Sequence, residues 1–313
     1  MFVEGDSKKN LLAKKEEENK YCVSGYNIMP DNKNDSHAII VNAAKKARYV
    51  LDVGCGAGYI GRNLKLLGAR RIDGIEIDEE ARKSAKKSYD NVYGFSIDTC
   101  NTGSEYKKFL DSDDKYDCII FADVLEHLTN PGQTLADFSK KLAKDGRILV
   151  SIPNVANLMV IIELIDQKFN YTKTGILDST HLRFFTENSF YDFLDNVNEA
   201  YGLKLQAKLL THTFLRDESV DDVLFNKLFG DEIYIFQNIF EITRVDNPKQ
   251  PRKKKSNYQK LVNYVAKLEK EYRDTATELQ KRDKTIADLQ NSTSWKITAP
   301  LRKVSKVAKK GAA

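Results

Sequence analysis

The stretch that most constrains this chain is VLDVGCGAGYIG, residues Val50 to Gly61. A short apolar run closes on Gly54, Gly56, Gly58 and Gly61 and passes directly into GYIGRNLKLLG, whose apolar residues recur at helical spacing before a stopping glycine, Gly68. A buried strand, a glycine turn and a helix in that order place the helix's first amides at the carboxyl end of the strand, where open α/β sheets bind ligands.

The remainder of the chain repeats the unit. HAIIVNAAKKA reads as a helix ahead of the first strand. RRIDGIEID, NVYGFSID, YDCIIFADV and RILVSIPN read as further strands, and YDCIIFADV is nearly all apolar, as a central parallel strand requires. EEARKSAKKSY and NPGQTLADFSKKLAKDG read as the intervening helices, the second ended by Gly146. TENSFYDFLDNV predicts one more helix with Thr186 as its N-cap, and LKLQAKLLTHT and EIYIFQNIFEITRV predict two strands that pair as an antiparallel edge. The pattern gives an α/β fold with a doubly wound, seven-stranded, mostly parallel sheet over residues 37–245. Residues 1–36 read as a polar N-terminal segment with a short helix at Asn10–Lys20.

Beyond Val245 the character changes. Residues 246–257 form a basic linker, and residues 258–291 carry an apolar seam at alternating steps of three and four, weak only at Arg282. That 3.5-residue period predicts a C-terminal coiled-coil helix, with a single amphipathic helix docked on the domain as the other reading. Residues 292–313 form a basic amphipathic tail with Trp295 as an aromatic anchor, six basic residues and no acidic one. From Asp246 onward there are 18 Lys and Arg against 7 Asp and Glu, while residues 1–245 carry 32 against 38. Such asymmetry suits contact between the tail and an anionic surface such as membrane headgroups; a solvated tail is the plainer reading. The basic residues lie apart from the α/β domain and no RNA-module signature is present, so no nucleic acid is expected. The polar N-terminus lacks the apolar core of a signal peptide, which predicts a cytoplasmic address, with the tail allowing a peripheral place at the inner face of the membrane. Cys22, Cys55, Cys100 and Cys118 are scattered, and the four histidines show no metal-binding spacing, so reduced thiols and no metal are expected.

The glycines fit two ligand-binding patterns. Gly56 to Gly61 matches the dinucleotide fingerprint G-x-G-x-x-G, whose amides take a pyrophosphate, and Asp52 to Gly58 matches a D-x-G-x-G-x-G turn that passes under an amino-acid moiety. Glu76, at the tip of the second strand, can accept from both ribose hydroxyls of either ligand. Asp98 ends the third strand beside Thr99 and can accept from an adenine amino group; a helix N-cap is its other reading. Taken in order, LDVGCGAG, GIEID, IDT and ADVLEHLTNPG resemble the class I S-adenosylmethionine-dependent methyltransferases over residues 40–245. The resemblance implies a Rossmann-like methyltransferase sheet, S-adenosylmethionine as cofactor, and donor contacts at Asp52, Gly54, Gly56, Gly58, Glu76, Asp98, Thr99 and the backbone near Phe121 and Ala122.

A sulfonium methyl is already activated, so the protein must align it with a nucleophile, exclude water and, for a hydroxyl acceptor, take a proton. His127 follows the fourth strand, and His181 lies in GILDSTHLRFFT; either suits the base. IPNVAN and FNYTKTGILDSTHLRFFT resemble a cap over the acceptor in a branch of the family that accompanies cell-surface polysaccharide synthesis. In that reading Asp178 orients His181, while Arg183 and Tyr171 contact the acceptor. Alternatively Asp178 and Arg183 pair to pin the loop, His181 caps a backbone group and His127 braces the turn. Tyr26 and Tyr59 are weaker candidates for closing over the donor. NSTSWKITAPLRKV is similar to a segment that follows coiled coils in bacterial glycan-assembly transferases. Together these imply O-methylation of a sugar hydroxyl on a surface glycan or its precursor, by an oligomer or a chain paired with a partner helix. VLEHLTNP also looks like quinone-pathway members, so a quinone-like phenol is the rival acceptor, and a non-enzymatic coiled-coil scaffold is the third reading.

Overall fold

The structure, a computed structural model, describes residues 27–98, 103–216, 223–251 and 257–292. Thr99, Tyr26, Cys22, Cys100, the helix expected at 10–20 and the tail from residue 293 lie outside the described residues.

The elements, in chain order, are α1 (Ser36–Ala44), β1 (Tyr49–Val53), α2 (Tyr59–Leu66), β2 (Arg71–Ile75), α3 (Glu79–Ala85), β3 (Asn91–Tyr93), α4 (Ser104–Asp111), β4 (Tyr116–Ala122) and a 3-10 turn at Leu125–His127. There follow α5 (Pro131–Ser139), β5 (Leu142–Pro153), α6 (Leu158–Ile165), α7 (Glu187–Tyr201), β6 (Leu205–Phe214), α8 (Val223–Phe229), β7 (Ile235–Arg244) and α9 (Asn257–Asn291). The sheet runs β3-β2-β1-β4-β5-β7-β6. β1 pairs in parallel with both β2 and β4, and the order reverses there, which makes β1 the topological switch point. β7 enters antiparallel to β5 and β6, so the sheet is mixed and the antiparallel pair expected from the sequence forms one side of it.

Both faces of the sheet are covered. Leu51 and Val53 of β1 join Phe121, Phe138, Phe190 and Phe240 in one core. Val50 faces the other way, with Ile40, Ile60, Ile120 and Leu149. Local chemistry sets the helix ends. Asp35 accepts from the amides of His37 and Ala38 at the start of α1, and Asn130 accepts from Gln133 at the start of α5, where Pro131 occupies the first turn. Thr186 caps α7 in a reciprocal box with Ser189, and Gly202 ends it in the left-handed region.

Five elements, α5, β3, α4, α6 and α8, differ from the sequence reading. The helix expected to run to Gly146 ends at Ser139, because β5 starts at Leu142 and pairs with β4 across a bulge between Tyr116 and Cys118. A Cβ on Gly146 would meet the Tyr116 carbonyl at 2.9 Å, which is strand packing. β3 is only Asn91–Tyr93, and the residues after it leave the sheet to line a cavity. α4, α6 and α8 have no counterpart in the sequence reading.

The chain divides into two units, residues 1–226 with 230–253, and residues 227–229 with 254–313. The expected linker begins as part of the first unit: Gln250 donates to the Leu205 carbonyl at 2.8 Å and accepts from the Ala207 amide at 2.8 Å, tying it to the edge strand β6. In the second unit α9 is one continuous helix. Its seam residues Leu261, Val265, Leu268, Leu279, Ile286 and Leu289 are all exposed. No helix among the described residues is long and apolar enough to cross a membrane.

Candidate active site

At the carboxyl ends of β1, β2 and β4 lies a cavity of about 700 Å³. The glycine turn forms its floor. Gly54, Gly56 and Gly58 all have positive φ, at 71°, 51° and 87°, and Gly54 and Gly56 line the cavity. Gly58 caps α2 instead of lining the cavity.

Gly61 resolves the overlap between the two glycine patterns. A Cβ there would lie 2.2 Å from the ring of Tyr89, whose hydroxyl accepts from the Gly61 amide at 2.9 Å. The same ring also presses on Gly58 and Gly74. The amide that a dinucleotide reading assigns to pyrophosphate is thus bonded to a buried phenol, and this glycine serves the packing of Tyr89. Tyr89 also donates to Asp52 Oδ2 at 2.5 Å.

Asp52 is 1% exposed and lines the cavity, and its Oδ1 has no hydrogen-bond partner within the protein. Burial pushes its carboxyl up to about 7, against the Tyr89 hydrogen bond that lowers it, with the nearby charge of Glu76 raising it further. A cationic ligand group at Oδ1 would relieve both the desolvation and the repulsion. Burial likewise pushes the Cys55 thiol upward, which marks it as packing and not as a nucleophile.

Glu76 is buried, and each oxygen takes one backbone donor: Oε2 from Gly56 at 2.8 Å and Oε1 from Asp78 at 2.8 Å. The carboxylate therefore holds the glycine turn against β2 and keeps one lone pair per oxygen for a ligand. Asp98 does not cap a helix, since α4 is capped by Gly103. It binds the hydroxyl and the amide of Thr129, joining the segment after β3 to the turn after β4, and it lines the cavity. Ala122 also lines the cavity. Phe121 is fully buried with its ring edge-on to Phe138 in the core, and its backbone pairs with Val53 and Val150. Tyr59 lines the cavity too.

Opposite the glycine turn, the 3-10 turn and the loop before α7 are clamped together. The Glu126 carbonyl accepts from the amides of Leu182 and Arg183 at 2.8 and 3.0 Å. This brings His127 and His181 together, with ring centroids 4.7 Å apart and edge to face, and both line the cavity. His181 Nδ1 lies 2.8 Å from the Ile176 carbonyl, so that nitrogen carries the proton and Nε2 the lone pair. His127 Nδ1 lies 3.2 Å from the Thr180 carbonyl and 3.1 Å from its hydroxyl, and that hydroxyl donates to Asp178 at 2.7 Å. The His127 Nδ1 must then also donate. The group that fixes His181 is thus a backbone carbonyl, and the Asp178 side chain reaches His127 through Thr180.

Arg183 and Tyr171 are not where an acceptor contact in this cavity needs them. Arg183 donates to the Thr129 carbonyl at 2.7 Å and lines a separate cleft of about 370 Å³ with Phe193 and Asn196. Tyr171 is 56% exposed and packs edge-on against Phe169. Neither lines the main cavity, because the loop carrying them folds so that only Thr174, Gly175, Asp178 and His181 face inward.

The sequence reading missed four groups at the site. Tyr89 gave no signal, being brought to Asp52 across a whole β-α-β unit. Gln237 comes from the antiparallel strand β7 and donates to both oxygens of Asp123, each at 2.8 Å. Asp123 itself sits at φ 53°, a left-handed conformation that turns the chain sharply off β4 toward the 3-10 turn. Glu126 is 1% exposed and lies with His127 and His181 in a cluster whose ligating atoms are all within 4.8 Å of one another, although no metal was expected from the spacing.

A mitochondrial ubiquinone biosynthesis O-methyltransferase from Dictyostelium discoideum is 26% identical over 127 residues, 38% of this chain and 40% of that protein. A ubiquinone biosynthesis O-methyltransferase from Rickettsia bellii is 24% identical over 155 residues, 48% of this chain and 60% of that protein. The chain thus spans less than two thirds of the length of these curated relatives. Among solved structures, a SAM-dependent methyltransferase from Archaeoglobus fulgidus is similar with a TM-score of 0.44 and 18% identity, covering 67% of this chain and 94% of that one. The methyltransferase-domain family matches residues 16–207. With that match covering well over half of the chain, the protein belongs to the methyltransferase-domain family.

Proposed function

We propose that this protein transfers the methyl group of S-adenosylmethionine to a hydroxyl oxygen of a small acceptor. The observation that carries the reading is Asp52 Oδ1, a buried carboxylate oxygen with no partner in the protein, lining a cavity of about 700 Å³ beside the glycine turn. The residues fit the donor. Asp52 faces its ammonium, Gly54 and Gly56 let the backbone approach its amino-acid moiety, and the free lone pairs of Glu76 accept from its ribose. Asp98 stands at the adenine end. When bound, the donor supplies a methyl on sulfonium sulfur, and transfer forms an O–C bond as the C–S pair returns to sulfur. The protein's part is alignment, exclusion of water and activation of the acceptor hydroxyl by the imidazoles of His127 and His181.

The named relatives support a quinone-like phenol as acceptor. The resemblance of residues 152–157 and 169–186 to polysaccharide-associated members supports a sugar hydroxyl of a glycan or its precursor. Incubating the purified full-length protein with S-adenosylmethionine and either a dihydroxybenzoate or a surface-glycan precursor separates the two readings. Mass spectrometry should find one acceptor gaining 14 daltons, the mass of one CH₂; neither gaining it would refute the reading.

We also propose that α9 forms a coiled coil with a second helix, and that the basic tail lies on an anionic surface such as the inner face of a membrane. The seam is flanked by Glu269, Glu271, Glu278 and Asp283, with no basic residue at the flanking e and g positions from 269 to 283. Like charges across such flanks repel, so a partner helix with basic flanks fits better than a second copy. Light scattering of the isolated protein should report a monomer; a stable dimer would favour the homo-oligomer.

A further inference from the structure

We infer that Glu126, His127 and His181 form a binding site for one divalent cation, and that the ion holds an acceptor carrying two adjacent oxygens. Two imidazoles and one carboxylate are the donor set that divalent first-row metals take while keeping coordination positions open. The ligating atoms of the three residues all lie within 4.8 Å of one another. Two atoms bound to one ion at about 2.1 Å stand no more than about 4.2 Å apart, so a small side-chain adjustment closes the triangle.

The second observation is the state in which the imidazoles are held. Each Nδ1 donates to a backbone carbonyl, Ile176 for His181 and Thr180 for His127, at 2.8 and 3.2 Å. In the neutral ring an Nδ1 that donates puts the lone pair on Nε2, and the hydrogen bonds fix both ring planes, which is how metal-binding histidines are prepared. For His127 the arrangement extends through the Thr180 hydroxyl to Asp178. The third observation is rigidity. The two segments that carry the ligands are 54 positions apart at His127 and His181, and they are joined by the paired amide bonds to the Glu126 carbonyl. Glu126 and His181 are nearly buried, at 1% and 7% exposure, and all three residues line the cavity that holds Asp52 at its other end.

The role of the ion rests on the methyltransferase reading above. An ion with open positions toward the cavity binds vicinal hydroxyls in a chelate, and it lowers the pKa of a coordinated hydroxyl so that its proton leaves to solvent. The two imidazoles are then ligands, and neither needs to take the proton directly. Adjacent oxygens occur in a catechol and in a cis-diol of a sugar, and the two are distinguished in the assay.

The test uses the full-length protein without added donor. Mn²⁺ binding is followed by loss of the free-ion electron paramagnetic resonance signal, in wild type and in Glu126→Gln, His181→Ala and the milder His127→Gln. One ion per chain is expected, weakened at least about tenfold by each substitution, while S-adenosylmethionine binding measured by calorimetry stays within about twofold. No saturable Mn²⁺ binding up to millimolar concentration, or binding that the three variants leave unchanged, overturns the site. Binding of Mn²⁺ without binding of S-adenosylmethionine keeps the cation site and refutes the methyltransferase reading; the reverse does the opposite. With Co²⁺ in place of Mn²⁺, the visible spectrum should shift on adding catechol or a cis-diol sugar and stay fixed with phenol. A spectrum unmoved by either diol overturns the chelate.

Discussion

The Asp52 carboxyl ties stability and donor binding to pH in opposite ways. In the free protein burial holds its pKa up to about 7, against 3.8 for the ordinary group. Between those values the unfolded chain has lost the proton and the native protein keeps it. Stability therefore falls as pH rises through that window and levels off above it. About three pH units at about 1.4 kcal/mol each make the Asp52 contribution roughly 4 kcal/mol. Asp52→Asn removes the titration while keeping the shape. Urea unfolding at pH 5, 6, 7 and 8 samples about two of those units, so wild type should lose roughly 2.5 kcal/mol more than the variant over that range. The donor's ammonium should discharge the proton. At pH 6 about 0.9 proton leaves per donor bound, and at pH 8 about 0.1, given a free pKa near 7 and a bound one well below 6. Calorimetric titration with S-adenosylmethionine in two buffers of different ionisation enthalpy reads this number as a slope. Equal enthalpies in both buffers at pH 6, or parallel stability profiles for wild type and Asp52→Asn, would refute the claim that this carboxyl is held protonated for the donor.

Tyr89→Phe removes one hydroxyl and leaves the Gly61 amide and Asp52 Oδ2 short of a partner, a loss of about 2–4 kcal/mol in urea unfolding with a further rise in the Asp52 pKa. Gly61→Ala drives a methyl into the Tyr89 ring and should cost roughly 3 kcal/mol, with thermal unfolding as the measure. Thr180→Val cuts the link from Asp178 to His127, so kcat should fall about tenfold while the dissociation constant for donor stays put. Arg183→Ala should leave the KM for acceptor unchanged, because its guanidinium lies at the separate cleft; a large rise in KM would return Arg183 to the acceptor site.

Much of this molecule is legible along the chain because its information is local. The apolar core of the strand runs, the cap at Thr186 and the turn at Gly54–Gly58 each depend on a few neighbouring residues, and each stands where the pattern puts it. α5 ends earlier than its pattern because pairing of Leu142 and of Arg147–Ser151 with β4 outweighs the helical spacing, and pairing is a tertiary event. Arg183 and Tyr171 stand near His181 in sequence, yet a loop has no period, so Arg183 faces a separate cleft and Tyr171 faces solvent.

The sequence by itself determined the strand-turn-helix that receives a ligand, and the acidic residues near it: Asp52 and Glu76 at the ends of β1 and β2, and Asp98 in the segment after β3. Strand direction and hydrophobic alternation require only the order of residues. The tertiary structure decided which side chains meet: Tyr89 under the glycines, Gln237 on Asp123, and Glu126 with two histidines across a loop. Those contacts join residues many positions apart, and their geometry comes from the packing of both sheet faces, which no local pattern encodes.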